Sequence, residues 1–431
     1  MWPTLMRARW IATHRVLWGS VNCEVRANFY GGNKMRSNGS NWLIPALVLF
    51  AFPILSVGAE KAYGPGVSDT EIKIGQTMPY SGPVSAYGTI GKTQAAYFQM
   101  LNEKGGVNGR KIKLISLDDG YNPAKTVEQV RKLIEQEEVF ALFQTIGSGP
   151  NTAIIKYTNS KQVPNLFIGS IAEKHGDAAT YPWTLPWNPT GVMEGTQQGQ
   201  WLIKERPNAK IALLYQNDDL GKDFVRGIKI GLGEKGARAV VAEATYEIAD
   251  PTLDSQIITL QASGADVLVL ASTPKFGAQA IRKVYDMNWR PLFLVNNTTS
   301  SIESTLKPAG LEKSIGLITA GYFKSDPEQF VDDPAIQDYL MFMRKYYPEG
   351  NANDATNVYG YLTATALVEV LKRCADDLTR ENLMRQATSL KNVALPILFE
   401  GITLNTSPTN HHPIGKMYAA RFDGKYWQFL K

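Results

Sequence analysis

Cysteine is nearly absent from this chain: its 431 residues hold two, Cys23 and Cys374. Cys23 falls in a front segment set apart below, so Cys374 stands alone and no internal disulfide can brace the rest. It sits on a strongly apolar helical stretch, where a thiol is expected to be buried and inert. Histidine is almost as scarce, at four. His14 lies in the front segment, His175 stands alone in a loop, and His411-His412 has no other His or Cys near it at ligand spacing. That pattern argues against a metal centre and leaves no base for a hydrolytic triad, so no catalytic residue, metal or cofactor is expected. An excess of one charge is missing as well. The net charge is +5, but six of the 45 Lys/Arg and one of the 40 Asp/Glu precede residue 60, leaving 39 of each. So even a balance gives no footing to a nucleic-acid or anionic-membrane partner. There is no repeat with a period of about 20–50 residues and no low-complexity tract, which removes solenoid and array architectures.

Long hydrophobic runs are limited to residues 43–57, LIPALVLFAFPILSV. The run is short and proline-interrupted for a membrane span. Arg36 precedes it and Val57-Gly58-Ala59 supplies small residues for cleavage, the pattern of a secretory signal. Residues 1–59 are therefore expected to be a leader and signal peptide, with an exported mature protein beginning near Glu60. Met35 followed by Arg36 reads as a better start, which makes residues 1–34 a mis-assigned extension.

What the chain does have is a regular alternation of strand and helix. Residues 70–123 set the unit: an apolar strand through Ile72 and Ile74, a turn-rich loop over 79–87, and a helix from Gly88. Gly105-Gly106 ends that helix, residues 112–117 form the next strand, and Asn122 caps a helix that starts at Pro123. A strand at 139–143 then leads through the loop 144–151 to a helix at 152–160 and a strand at 164–168. The proline-rich stretch 182–189 breaks the rhythm and reads as a crossover. A second series follows, with helices at 191–205, 222–235, 253–263 and 276–287 and strands at 210–215, 239–246, 266–271 and 291–295. The unbroken Val267-Leu-Val-Leu-Ala271 has the character of a strand buried on both faces. A strand at 315–321 returns the chain to the first series, helices follow at 333–347, 353–375 and 379–389, and a hairpin closes the chain. The expected fold class is α/β, with two doubly wound lobes whose loops face a common cleft.

Several constellations within this frame suggest chemistry. Residues 86–93 satisfy a loose phosphate-loop pattern, yet they begin too far after their strand and place Gly91-Lys92-Thr93 inside a helix, so a nucleotide site is not expected. Gly147-Ser148-Gly149 ends a strand and precedes a helix, where backbone N–H groups and a hydroxyl can grip an anion. Ser81-Gly82 and Ser170 occupy the same place in their own units. Asp118-Asp119 and Asp218-Asp219 read as helix caps and loop solvation rather than acid/base pairs.

From Val67 to the C-terminus the chain resembles the periplasmic solute-binding proteins of ABC transporters, in particular the branched-chain amino acid (Leu/Ile/Val-binding) type. The resemblance is carried by IKIGQTMPYSGPVSAYG, FQMLNEKGGVNGRKIKLISLDDGYNPAKT, YPWTLPWNP and DDLGKDF. It implies two Rossmann-like lobes joined by three crossovers: 60–187 with 322–412, and 188–321 with 413–431. It implies a monomer in the periplasm that traps a small-molecule ligand by hinge closure and hands it to an ABC permease; periplasmic binding proteins are a familiar instance of such closure. It also implies a carboxylate grip from Ser148, Gly149, Ser170, Ile171 and Ala172, an aromatic wall at Tyr87 with Tyr80 and Ser81 beside it, and second-lobe contacts at Leu220 and about Thr273. The family's ammonium-binding acid falls at Asn297. A buried ammonium without a carboxylate partner is costly, which favours an apolar or aromatic carboxylate over an amino acid unless Asp219 supplies the charge. A ligand-sensing module for a signalling partner is the alternative of another class; no kinase, DNA-binding or coiled-coil segment accompanies the chain.

Overall fold

The computed structural model describes residues 61–430; the expected leader, its cleavage point and the alternative start at Met35 lie outside the described residues. The first half runs β1 (Ala62–Tyr63), β2 (Glu71–Met78), α1 (Gly88–Glu103), β3 (Lys111–Asp118), α2 (Pro123–Glu135), β4 (Ala141–Phe143), α3 (Ser148–Ser160), β5 (Asn165–Ile168) and β6 (Thr184–Pro186). There follow α4 (Gly191–Glu205), β7 (Ile211–Gln216), α5 (Asp219–Ala237), β8 (Val240–Tyr246), α6 (Asp254–Ala262), β9 (Val267–Ala271), α7 (Pro274–Asp286), β10 (Leu292–Val295), α8 (Lys307–Ala309) and β11 (Ile318–Gly321). The chain ends with α9 (Pro334–Tyr346), α10 (Ala355–Cys374), β12 (Asp377–Leu378), α11 (Arg380–Ala387), β13 (Tyr418–Phe422) and β14 (Trp427–Phe429).

Two sheets result. The first is parallel throughout, in the order β3-β2-β4-β5-β6. The second runs β14-β13-β11-β10-β9-β7-β8, parallel from β11 to β8 and closed at one edge by the antiparallel β13–β14 hairpin. The chain leaves the first sheet after β6, returns after β11 and enters the second again at β13, so three crossovers join two α/β lobes. In the second lobe strand alternation divides the core in two. Ala212, Leu214, Leu268 and Leu270 pack against Ile257, Leu260, Phe276 and Ile281 on one side. Ile211, Leu213, Val267 and Val269 pack against Leu202, Phe224, Ile228 and Leu232 on the other. Helices α9, α10 and α11 cover the first sheet, where Cys374 is buried and its thiol pushed up to about 12 by that burial.

Most sequence expectations hold to within a residue or two; β11 starts three residues later than expected, at Ile318. Helix α3 opens at Ser148 rather than 152, because Gly147 takes φ +112°, a turn only glycine makes cheaply. Helix α5 opens at Asp219 rather than 222, because the Asp218 carboxylate caps it, accepting from the N–H groups of Leu220 and Gly221. Residues 184–186 form an edge strand and not only a crossover, a position where Pro186 is tolerated. Gly91 and Thr93 are buried inside α1 while Lys92 points to solvent, as expected of a helix and not of a phosphate loop.

Helices α4 and α5 cross with glycine against backbone. A Cβ at Gly199 would stand 2.5 Å from the Ile228 carbonyl oxygen, and Gly195, Gly227 and Gly231 are hemmed in by backbone as tightly. This close crossing lets α4 lie flat under the second sheet, with Glu194 at its start facing β10.

Candidate functional site

The carboxyl ends of the strands in both sheets meet at a cleft of about 770 Å³, solvent mouth included. Of the residues expected at a ligand site, Tyr87, Ser148, Ser170, Ile171, Leu220 and Asn297 line it. The 21 lining residues include no Asp, Glu, Lys, Arg or His.

One wall is the opening turn of α3. The first N–H groups of a helix have no helical acceptor, and Ser148, the first residue of α3, lines the cleft. Gly147 cannot carry a side chain here, since a Cβ would lie 2.6 Å from the Tyr121 ring and 2.8 Å from Pro150. Ser148 Oγ is 3.0 Å from Ser170 Oγ. Ser170 is tied backwards: its oxygen accepts the Ala172 N–H at 3.1 Å and lies 2.8 Å from His175 Nδ1. His175 therefore does not stand alone. A short helical turn at Glu173–Gly176 folds it under Ser170, fully buried, and its other nitrogen meets Thr152 Oγ1 at 3.0 Å. Burial, with Lys174 adding to it, lowers the imidazole to about 4.

Several expected contacts go elsewhere. Tyr80 and Ser81 brace the β2–β3 loops instead of the cleft. Both donate N–H groups to Asp118 Oδ1, at 3.0 and 3.1 Å, and the Ser81 hydroxyl donates to Asp118 Oδ2 at 2.6 Å. Burial acts to raise the Asp118 carboxyl, but these bonds and Lys125 outweigh it and hold it far below its usual range. The Tyr80 hydroxyl is spent on Ser116 at 2.7 Å. Ala172 has spent its N–H on Ser170, and Gly149 faces Asp218 rather than the cleft. Thr273 is buried as the N-cap of α7, and its neighbour Pro274 takes the lining position. Asp219 turns outward, accepting from Thr152 at 2.6 Å and pairing with Lys174 at 2.8 Å. It supplies no charge to the cleft.

Asn297 lines the cleft with its amide anchored: Nδ2 donates to the Ala320 carbonyl at 2.7 Å, and its backbone N–H donates to Glu194 Oε1 at 2.6 Å. Glu194 is buried behind it, also accepting from Gln198, and burial lifts its carboxyl to about 8. Across the mouth the Tyr87 hydroxyl donates to the Thr298 carbonyl at 3.2 Å; burial pushes that phenol well above its ordinary value.

Other lining residues come from segments the sequence did not single out. Asn188 lies on a crossover, Phe323 follows another, and Tyr359 projects from α10, its hydroxyl donating to Asn188 at 3.0 Å. The proline break at 182–189 was a signal for Asn188; nothing local marks Phe323 or Tyr359. His411 and His412 bond to backbone oxygens of Thr184 and Glu173.

The chain is similar to a "Leu/Ile/Val-binding protein homolog 7" of Brucella suis biovar 1, 24% identical over 333 residues that cover 74% of this chain and 81% of that protein. Its fold is similar to a solved branched-chain amino acid ABC transporter protein of Thermus thermophilus with bound valine, with a TM-score of 0.75 at 16% identity over 85% of this chain and 96% of that one. It is also similar to a solute-binding protein of R. palustris in complex with benzoate, with a TM-score of 0.71 at 20% identity over 84% and 95% of the two chains. The family model described as "Periplasmic binding protein" matches residues 71–426, and the chain belongs to that family.

Proposed function

We propose that this protein captures a small apolar carboxylate, an aromatic or other organic acid, between its lobes and delivers it to an ABC permease from the periplasm. The lobes are 60–187 with 322–412 and 188–321 with 413–431, and residues 1–59 serve export. The observation that carries the reading is a cleft lined by no Asp, Glu, Lys, Arg or His, one wall of which is a helix N-terminus carrying the Ser148 hydroxyl. Such a wall suits an anionic head group, and the apolar faces of Tyr87, Ile90, Ile146, Ile171, Leu220 and Phe323 suit an uncharged tail. Nothing in the lining answers an ammonium.

A second reading, an α-amino acid ligand, is favoured by Asp326. It adjoins the lining residue Ser325, its Oδ2 is buried without a hydrogen-bond partner, and burial beside Glu328 and Glu303 lifts it to about 7. Titration calorimetry with benzoate, phenylalanine and leucine separates the two. An ammonium buried without a counter-charge costs on the order of 3 kcal/mol, or about a hundredfold in affinity. Benzoate is expected to bind and the amino acids to bind at least that much more weakly. Tighter leucine or phenylalanine binding overturns the carboxylate reading in favour of the second.

A further inference from the structure

A chain of hydrogen bonds runs from the cleft wall of the first lobe to the start of α5 in the second. Ser148 Oγ meets Ser170 Oγ at 3.0 Å, Ser170 meets His175 Nδ1 at 2.8 Å, His175 Nε2 meets Thr152 Oγ1 at 3.0 Å, and Thr152 meets Asp219 Oδ2 at 2.6 Å. Lys174 closes the end, 2.8 Å from the same carboxylate oxygen. Ser148, Ser170, His175 and Thr152 belong to the elements of the first sheet, whereas Asp219 opens α5 of the second lobe.

The protons in this chain have only one consistent order. An ionised carboxylate only accepts, so the single hydroxyl proton of Thr152 goes to Asp219. The Thr152 oxygen must then accept from His175, which puts the imidazole proton on Nε2. A neutral ring protonated there accepts at Nδ1, and burial keeps this ring neutral. Ser170 consequently donates to His175, and its oxygen accepts from Ala172 N–H and from Ser148. Of this pair, Ser148 is left as the one hydroxyl able to turn its proton to a ligand. With Asp219 withdrawn, the Thr152 proton can point to Nε2, the ring proton moves to Nδ1, and Ser170 becomes a second donor to the cleft.

We propose that His175 and Thr152 are positioning residues that tie the proton order of the Ser148–Ser170 pair to the docking of Asp219 from the opposite lobe. The relay couples lobe closure to the head-group contact: in the open cleft the pair offers an incoming anion two hydroxyl protons and in the closed cleft one. This rests on the reading of the cleft as an anion site, but its signature can be observed without a bound anion.

The test is the imidazole tautomer, read from long-range ¹H–¹⁵N NMR correlations of His175 in the mature protein, free and with saturating benzoate; His175→Gln identifies the signal. The Nε2–H form is expected in the wild type in at least one of the two conditions. Thr152→Val, nearly the same shape without the hydroxyl, and Asp219→Asn, whose amide can donate to Thr152, are both expected to lose it, and Thr152→Ser to keep it. Benzoate affinity, measured in parallel, should fall about tenfold in Thr152→Val through the lost charge-assisted contact between lobes and recover in Thr152→Ser. An Nδ1–H ring in the wild type under both conditions overturns the relay, as does an Nε2–H ring unchanged by Thr152→Val and Asp219→Asn. Failure of benzoate to bind while the tautomer responds as stated counts against the carboxylate reading and leaves the relay standing.

Discussion

Glu194 is a carboxylic acid in surroundings its type seldom occupies. It is 1% exposed, carries two hydrogen bonds, and stands directly behind the backbone of Asn297. Burial raises it to about 8 from 4.5. The folded state therefore keeps a proton that the unfolded chain gives up, so this residue costs nothing below about pH 4.5 and progressively more as pH rises toward 8. The penalty reaches on the order of 2–4 kcal/mol at the upper end. Glu194→Gln keeps an acceptor for the Asn297 N–H and removes the charge. In urea unfolding it is expected to match the wild type at pH 4.5 and to exceed it by about 2 kcal/mol or more at pH 8. Equal stability of the two proteins at pH 8 would show that Glu194 is ionised without cost. The arrangement bears on the cleft too, since Glu194 bonds the backbone of the lining residue Asn297 and is not itself part of the lining.

Helices α4 and α5 show how much a single element depends on small residues. Glycines at 195, 199, 227 and 231 put two helix backbones in direct contact under the second sheet. Gly195→Ala would add a methyl against the Phe224 carbonyl, where only a backbone shift makes room, and overpacking of this kind costs about 1–3 kcal/mol. A loss of that size in thermal or urea unfolding is expected, with a normal far-ultraviolet spectrum; an unaffected protein would mean the helices can move apart freely. The existence of these elements was legible: the apolar period placed α4 at its observed limits, and Asn122 announced α2. Their starts were less so. Gly147-Ser148-Gly149 and Asp218-Asp219 look like loop residues by composition, yet they are the turn and the cap that begin helices three or four positions early. The same local blindness hid part of the site. Ser148, Ser170 and Leu220 follow strands and could be found by their place in the repeating unit. Phe323 and Tyr359 arrive from distant segments, and the meeting of His175 with Thr152 is made only when a short turn folds one under the other.

At the scale of the molecule, polar contacts and ion pairs join the lobes, among them Lys174 with Asp219 and Arg226 with Glu173, each at 2.8 Å. Tyr87 reaches Thr298, Thr152 reaches Asp219, Ser301 reaches Asp354 at 3.2 Å, and Asn351 reaches Glu303 at 2.9 Å. Contacts of this kind are individually weak and can break and re-form, as a hinged trap requires. Small-angle scattering of the mature chain is expected to show a smaller radius of gyration with saturating benzoate than without; an unchanged radius at saturation would remove hinge closure from the mechanism.

The neutral lining of the cleft has a kinetic side. With no fixed charge at its walls, the cleft casts little field beyond its mouth, so an incoming anion is not steered and arrives by plain diffusion. Encounter is then nearly indifferent to ionic strength, because there is no long-range attraction for salt to screen. Choice among passing solutes falls to residence: what distinguishes one acid from another is how long the lobes stay shut around it.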